Sequence, residues 1–217
     1  MDGLRNSIRK CRKCPLGDLQ QSIRRDLPAV PSEGSVSASI IIVGQNPNLT
    51  AHTLGVPFPR ETQAGRWINR LLADVGLARD NTYITNIVKC AHSRKPDVGP
   101  ANQAREICTS HWLKREKFLL NPQVVIPIGK LAISHLSKTA FGESLTITSF
   151  RLKFGLSATD AKGISWLPFY HPTVKHDEHA RSESGRALYQ ELVETLRGLL
   201  TTKGLVPASS DSSLRSE

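Results

Sequence analysis

The chain has 217 residues, which is enough for one full α/β domain with a hydrophobic core. Its formal net charge is +10, because 29 lysines and arginines outnumber 19 aspartates and glutamates, and such a basic surface suits a polyanionic partner. The absence of any run of 18 apolar residues excludes a transmembrane helix, and the N-terminal residues lack the apolar stretch of a secretory signal. We therefore expect an intracellular, cytoplasmic protein without a membrane partner.

Four apolar segments have the composition of buried strands, and helical patterns separate them. The strands are predicted at residues 39–44, 82–88, 123–129 and 164–170, and the helices at residues 64–77, 101–120, 130–136 and 183–200. This alternation predicts a mostly parallel four-stranded central sheet with helices on both faces, a three-layer α/β/α sandwich. Residues 28–37 are predicted to form a loop. Residues 1–203 are predicted to form a single domain, and the small, polar residues 204–217 a disordered tail.

Polar side chains follow or end several of the predicted strands. Gln45 and Asn46 come directly after the first strand, Asn86 lies in the second, and His171 follows the fourth. Taken singly, such an asparagine is an ordinary turn former and such a histidine an ordinary capping residue. The carboxyl ends of parallel strands share one sheet edge, where open α/β sheets bind ligands, so together these side chains predict a polar cleft. The cleft contains no Ser-His-Asp arrangement, phosphate-binding loop or paired carboxylates.

The chain has four cysteines, Cys11, Cys14, Cys90 and Cys108. The first two form a C-x2-C pair, which brings two thiolates to one metal centre, whereas the other two would singly be typical of isolated buried thiols. In an intracellular protein, four cysteines that include such a pair favour a four-cysteine metal site over disulfides. The spacing by itself is compatible with tetrahedral zinc and with a [4Fe–4S] cluster.

These motifs together resemble the uracil-DNA glycosylase superfamily, most closely its iron–sulfur-containing family 4. The matching segments run from Cys11 to about residue 200 and read CRKCPLG, IIVGQNPN, GVPFPRETQAG, YITNIVKC, PQVVIPIGKLA and LPFYHP, together with Cys108. Family 4 combines an α/β/α fold, a [4Fe–4S] cluster on four cysteines, and excision of uracil from DNA. The resemblance therefore implies a structural [4Fe–4S] cluster, rather than zinc, on Cys11, Cys14, Cys90 and Cys108.

The resemblance also assigns roles to three side chains of the predicted cleft. Phe58 is expected to stack on the extruded base, Asn86 to read the pairing edge of the base, and His171 to face its O2 atom. Flipping a base out of the helix costs a few kcal/mol, which stacking on an aromatic ring at about 1–3 kcal/mol partly offsets. The amide of Asn86 pairs with the N3/O4 edge of uracil and, turned over, with a cytosine-like edge.

The water-activating motif departs from the GEAPG-like sequence of family 4, because Gln45 replaces the glutamate and Asn48 the last glycine. Asn46 is expected to hold a water beneath C1′, but it cannot take up a proton, which forfeits about 10²–10⁴-fold in rate. Glu61 is the one nearby carboxylate, and a solvated loop position explains it more simply. Gln45 and Asn48 are expected to border the base. Because Asn48 is smaller than the tyrosine with which family 1 excludes thymine, a 5-substituted pyrimidine is an alternative substrate.

The segment after His171 matches the family loop that enters the minor groove and fills the space left by the flipped base. Lys175, His176 and Arg181 are expected to contact phosphates, and Val174 is the candidate apolar wedge. The sequence thus predicts a monomeric DNA glycosylase that removes uracil or a modified pyrimidine and leaves an abasic site. The alternatives are a glycosylase for a hypermodified base, such as one in phage DNA, acting in antiviral defence, and a non-catalytic DNA-binding module with the same fold.

Overall fold

The centre of the fold is a sheet whose inner strands are fully buried, as expected for strands covered on both faces. The computed structural model describes residues 2–16, 28–91, 100–172 and 182–207. The strands in this part are β1 (Glu33–Gly34), β2 (Ile40–Gly44), β3 (Tyr83–Asn86), β4 (Val124–Pro127), β5 (Ala158–Thr159) and β6 (Ser165–Trp166). They form one sheet with the order β1-β3-β2-β4-β6-β5.

The sheet is mixed, although its four inner strands are parallel. β3, β2, β4 and β6 are parallel to one another and correspond to the four predicted strands. The prediction of four strands is nevertheless wrong, because β1 and β5 add an antiparallel strand at each edge. Each edge strand has only two residues, which is too short for an apolar run or an alternating pattern to reveal it. β1 lies within the segment that the sequence predicts to be a loop.

Two hydrophobic cores lie on opposite faces of the sheet, because successive strand residues point to opposite sides. Ile41 and Val43 of β2 belong to the first core, and Ile40 and Ile42 belong to the second. The helices are α1 (Asp2–Arg9), α2 (Leu49–Leu54), α3 (Gln63–Asp74), α4 (Pro100–Cys108), α5 (Lys114–Leu120), α6 (Lys130–Phe141), α7 (Ile147–Phe154) and α8 (Glu183–Thr202). α1, α4, α5, α6 and α7 contribute buried residues to the first core, and α3 and α8 to the second, which makes three α/β/α layers.

The long helix predicted at residues 101–120 is interrupted by a π-helical turn. α4 ends at Cys108, the π-helical segment Thr109–Leu113 follows, and α5 begins directly after it at Lys114. Such π-turns are frequent at functional sites. Here the turn contains the buried Trp112, whose indole Nε1 donates a hydrogen bond to the Sγ of Cys11 at 3.2 Å. The π-helical turn thus places an indole donor against a cysteine of the N-terminal segment.

The C-terminal end of the described chain packs on the second core. Leu205 and Val206 contact this core, so the packed structure continues past the predicted domain boundary at residue 203. Residues 208–217 lie outside the described part, and a disordered tail there stays a prediction. None of the helices that the structure describes is both long and apolar enough to span a bilayer.

Candidate active site

A glycine at the end of β2 lets two side chains approach the carboxyl edge of the sheet. Gly44 pairs in register with Asn86 of the neighbouring strand β3. A Cβ on Gly44 would stand 2.2 Å from Cζ of Phe58 and 2.5 Å from Oδ1 of Asn86. Only glycine leaves room for both side chains at this point. The aromatic ring and the amide oxygen therefore meet over the end of a central strand.

A second glycine, at the end of β4, plays the same role for His171. Gly129 has a φ of +86°, and its Cβ would stand 3.0 Å from the Cβ of His171 and 3.5 Å from its Cδ2. The backbone N–H of Gly129 donates to the carbonyl of Phe169 at 2.9 Å, which holds the segment before His171 parallel to β4. β4 and β2 are neighbours about 4.8 Å apart. His171 thus lies at the same sheet edge as Phe58 and Asn86.

The amide oxygen of Asn86 is an acceptor without a donor. Asn86 is 3% exposed, and its Oδ1 has no hydrogen-bond partner among the residues that the structure describes. Buried polar atoms in folded proteins are nearly always paired, so an unpaired buried acceptor at this sheet edge indicates where a ligand donor fits. The backbone of Asn86 is fixed from behind, because Nζ of Lys89 donates to its carbonyl at 2.9 Å.

Phe58 is held in an unusual backbone conformation. Its φ is +52°, in the left-handed region that bulky residues rarely adopt, and its side chain is buried in the second core. Such conformations cost about 1–3 kcal/mol each and concentrate at active sites and ligand clamps. The Nη2 of Arg79 donates to the carbonyl of Phe58 at 2.8 Å, so a buried guanidinium supports this conformation.

The GQNPN segment after β2 forms a turn that leads into α2. Asn46 donates from Nδ2 to the carbonyl of Pro47 at 2.9 Å, and its Oδ1 has no partner in the described part of the chain. The backbone carbonyl of Gln45 accepts from the N–H of Val88 at 2.9 Å. Asn48 is exposed and caps α2, because its Oδ1 accepts from the N–H of Ala51 at 2.8 Å. Capping accounts for an asparagine here without any base, so the expected contact of Asn48 with the base stays a prediction.

The other predicted contacts are Glu61 and four residues of the loop after His171. Glu61 is exposed in the loop after Phe58, as expected for a solvated carboxylate. The predicted phosphate contacts Lys175, His176 and Arg181, and the candidate wedge Val174, lie outside the residues that the structure describes. Their roles remain predictions.

The four cysteines are free thiols that gather at the first core. Burial raises the pKa of the Cys90 thiol, and the other three cysteines raise it further. Burial likewise raises the pKa of Cys108 to about 11, although a hydrogen bond from the backbone of Lys89 lowers it. No set of three or more histidine, cysteine, aspartate or glutamate side chains in the described ranges already has the arrangement of a metal site. The four thiols are thus neighbours at the first core.

A buried polar network behind the cleft has no counterpart in the sequence predictions. Lys89 and Glu116 form an ion pair with Nζ and Oε2 2.7 Å apart, and both side chains are almost completely buried. Nζ also donates to Oγ1 of Thr85 at 2.6 Å, and Tyr83 donates its hydroxyl to the Glu116 carboxylate at 3.1 Å. One sequence signal does point to this network. Glu116 comes four residues after the buried Trp112, so helical spacing places it on the face that packs against the core.

The fold and the cleft define an α/β protein with a polar and aromatic site at the carboxyl edge of its parallel strands. A family model described as the uracil DNA glycosylase superfamily matches residues 31–197. The chain therefore belongs to the uracil DNA glycosylase superfamily, as its motifs indicate.

Three similar proteins share the name type-4 uracil-DNA glycosylase. The protein of Saccharolobus solfataricus is 30% identical over 175 residues, which cover 80% of this chain and 76% of the relative. That of Archaeoglobus fulgidus is 28% identical over 174 residues, covering 80% and 82% of the two chains. That of Thermotoga maritima is 26% identical over 204 residues, covering 94% and 96%. The similarity thus extends over most of both chains in each comparison.

Proposed function

We propose that the protein is a DNA glycosylase that flips a uracil out of DNA and hydrolyses its N-glycosidic bond, leaving an abasic site. The relatives named type-4 uracil-DNA glycosylases support this activity. The observation that carries the proposal is the buried Oδ1 of Asn86, an acceptor with no partner among the described residues, next to the ring of Phe58. Uracil supplies what both groups need, because it has an N3–H donor and a flat face.

Base recognition requires that the nucleotide leave the stack, since C1′ is not accessible within a duplex. The net charge of +10 favours association with the phosphate backbone, and this contribution falls as salt rises. Stacking on Phe58 contributes about 1–3 kcal/mol, and pairing with Asn86 adds a hydrogen bond to an otherwise unpaired buried atom. These two contacts offset the few kcal/mol that flipping costs.

Hydrolysis breaks the bond between C1′ and N1, and the electron pair leaves with the base. Negative charge then develops on the O2 atom of the base, where a hydrogen bond from His171 stabilises it. A water held by Oδ1 of Asn46 attacks C1′ and releases its proton to solvent, because an amide cannot accept it. We therefore expect a slower reaction on plain uracil than a carboxylate at this position would support.

Cys11, Cys14, Cys90 and Cys108 are the proposed ligands of a [4Fe–4S] cluster, with zinc as the alternative occupant. The donor set fits such a group, because four free thiols lie together and burial opposes the ionisation of Cys90 and Cys108 unless a cationic centre joins them. When bound, the cluster supplies a structural link between the N-terminal segment, the chain after β3 and the end of α4. Hydrolysis of the glycosidic bond requires no electron transfer.

A labelled oligonucleotide with a single uracil tests the proposed activity, since alkali cleaves the strand at an abasic site. We expect cleavage at the uracil, none in the matched thymine oligonucleotide, and a loss of at least about tenfold for Asn86→Ala. Asn6→Ala is the matched control, because Asn6 is an exposed asparagine of α1. If uracil and a panel of 5-substituted pyrimidines all stay intact, the protein is a DNA-binding module without glycosylase activity. This experiment does not test the prediction that the protein is a monomer.

A further inference from the structure

The guanidinium of Arg79 joins three segments that meet behind Phe58. Arg79 is 6% exposed and begins the short 3₁₀ helix before β3. Its Nη2 donates to the carbonyl of Phe58 at 2.8 Å and to the carbonyl of Gly65 at 3.2 Å. Its Nε donates to Oδ1 of Asn69 at 2.5 Å, and its Nη1 contacts the carboxylate of Glu33 in β1. One side chain thus connects the Phe58 loop, α3 and the edge of the sheet.

The loop that contains Phe58 is fixed locally by a turn and by close contact with α3. The carbonyl of Phe58 itself, however, is bound by a side chain from outside this loop. The carbonyl of Pro59 accepts from the N–H of Thr62 at 2.9 Å and from its Oγ1 at 2.7 Å. A Cβ on Gly65 would stand 1.9 Å from the oxygen of Pro59, so the loop lies directly on the first turn of α3. These contacts fix the turn after Phe58. The carbonyl of Phe58 itself is bound by Arg79.

We propose that Arg79 is a positioning residue for base recognition, which holds Phe58 in its left-handed conformation with the ring over Gly44. The role rests on the proposed function only in that the ring is expected to stack on a base. The planar guanidinium binds two carbonyls and an amide oxygen at once, whereas a lysine ammonium cannot match this geometry. Without Arg79, the buried carbonyl oxygen of Phe58 loses its donor, and the loop gains by relaxing to negative φ. The ring then leaves the place where the base stacks.

Hydrogen exchange tests this role without any activity measurement. In Arg79→Met we expect faster exchange, by about tenfold or more, of the Val56 and Thr62 amides, which lie on either side of Phe58 and donate to the carbonyls of Ala51 and Pro59. Arg79→Lys should be intermediate. Leu196→Ala, which removes a buried side chain of α8, is the control for a general loss of stability. At equal global stability, it should not accelerate exchange of these two amides more than that of the rest of the chain. Unchanged exchange of this loop in Arg79→Met overturns the proposal.

A double-mutant cycle tests whether Arg79 acts through Phe58. Single-turnover excision of uracil should fall about tenfold or more in Arg79→Met, but hardly further when the same change is added to Phe58→Ala. Losses that simply add would show that Arg79 acts by another route, and would overturn the proposal. If the wild-type protein releases no uracil while Arg79→Met still accelerates exchange in the loop, the proposed function fails and the positioning of Phe58 by Arg79 stands.

Discussion

Lys89 and Glu116 form an ion pair of 2.7 Å in the interior, where the side chains are 1% and 0% exposed. Nζ of Lys89 also donates to the carbonyl of Asn86, and the residue after Lys89 is Cys90. Lys89 therefore contacts the residue whose amide is proposed to read the base, and in the chain it directly precedes one of the proposed cluster ligands. A buried charge is tolerated only when it is paired, so each partner depends on the other.

Lys89→Met should lower the free energy of unfolding by about 3–5 kcal/mol, because it leaves the Glu116 carboxylate buried without its cation. The double variant Lys89→Met with Glu116→Gln should recover much of this loss, since it removes the unpaired charge. Urea denaturation of the two variants and the wild type measures the difference. Equal stability of the single and double variants would show that the pair does not contribute as an ion pair.

The purified protein should be brown, with broad absorbance at roughly 400 nm, if a thiolate-bound [4Fe–4S] cluster occupies the four cysteines. Cys11→Ser should lose most of this absorbance and some thermal stability, because the link from the N-terminal segment is cut. Lys13→Ser in the same loop is the control and should stay brown. A colourless protein that is prepared anaerobically and contains stoichiometric zinc would contradict the iron–sulfur assignment and support the alternative.

Gly44→Ala should damage the cleft without damaging the fold as a whole. The new methyl group would stand 2.2 Å from Phe58 and 2.5 Å from Asn86, so both side chains must move. We expect single-turnover excision to fall by about tenfold or more, since positioning errors of about 1 Å already reduce rates strongly. Gly198→Ala is the matched control, because a Cβ there meets no atom within 4 Å. Equal rates for the two variants would place the reacting base elsewhere.

His171→Ala should reduce the excision rate by about 10²–10³-fold while binding to undamaged duplex DNA stays nearly unchanged. A donor at O2 acts on charge that is present only in the transition state, so its loss affects the chemical step rather than association. Single-turnover rates and fluorescence anisotropy measure the two quantities separately. Parallel losses of affinity and rate would indicate that His171 supports the neighbouring loop instead.

Asn46→Asp should speed the excision of plain uracil, by about 10²-fold at most, because a carboxylate can take up the proton of the attacking water. The variant loses the hydrogen bond that Nδ2 donates to the carbonyl of Pro47, which works against this gain. Asn46→Ala separates the two effects, since it loses the bond without adding a base. If the aspartate and alanine variants react equally slowly, Asn46 does not border the attacking water, and a substrate other than uracil becomes the better explanation.

The sequence by itself determined the parallel core of the sheet, and with it the sheet edge at which Asn86 and His171 lie, because both depend on local patterns. Continuous β-branched runs mark β2 and β4, and the mixed aromatic and β-branched segment at residues 82–88 marks β3. The polar residues at the ends of such strands share one edge by topology. The motifs around Phe58, Asn86 and the four cysteines also sufficed to indicate the superfamily, which the family model confirms for residues 31–197.

Only the tertiary structure decided which of these residues meet and what supports them. The two edge strands have two residues each and exist only through pairing, β1 with the distant β3 and β5 with β6 across a short turn. Asn48 caps a helix that has no strong periodicity, and the left-handed φ of Phe58 depends on Arg79, which lies 21 residues later in the chain. Buried charges such as Lys89 look like surface residues in a sequence, because their burial is set by a partner 27 residues away. Such long-range pairings leave little local pattern, and the helical spacing of Glu116 from the buried Trp112 is the one sequence signal of this network.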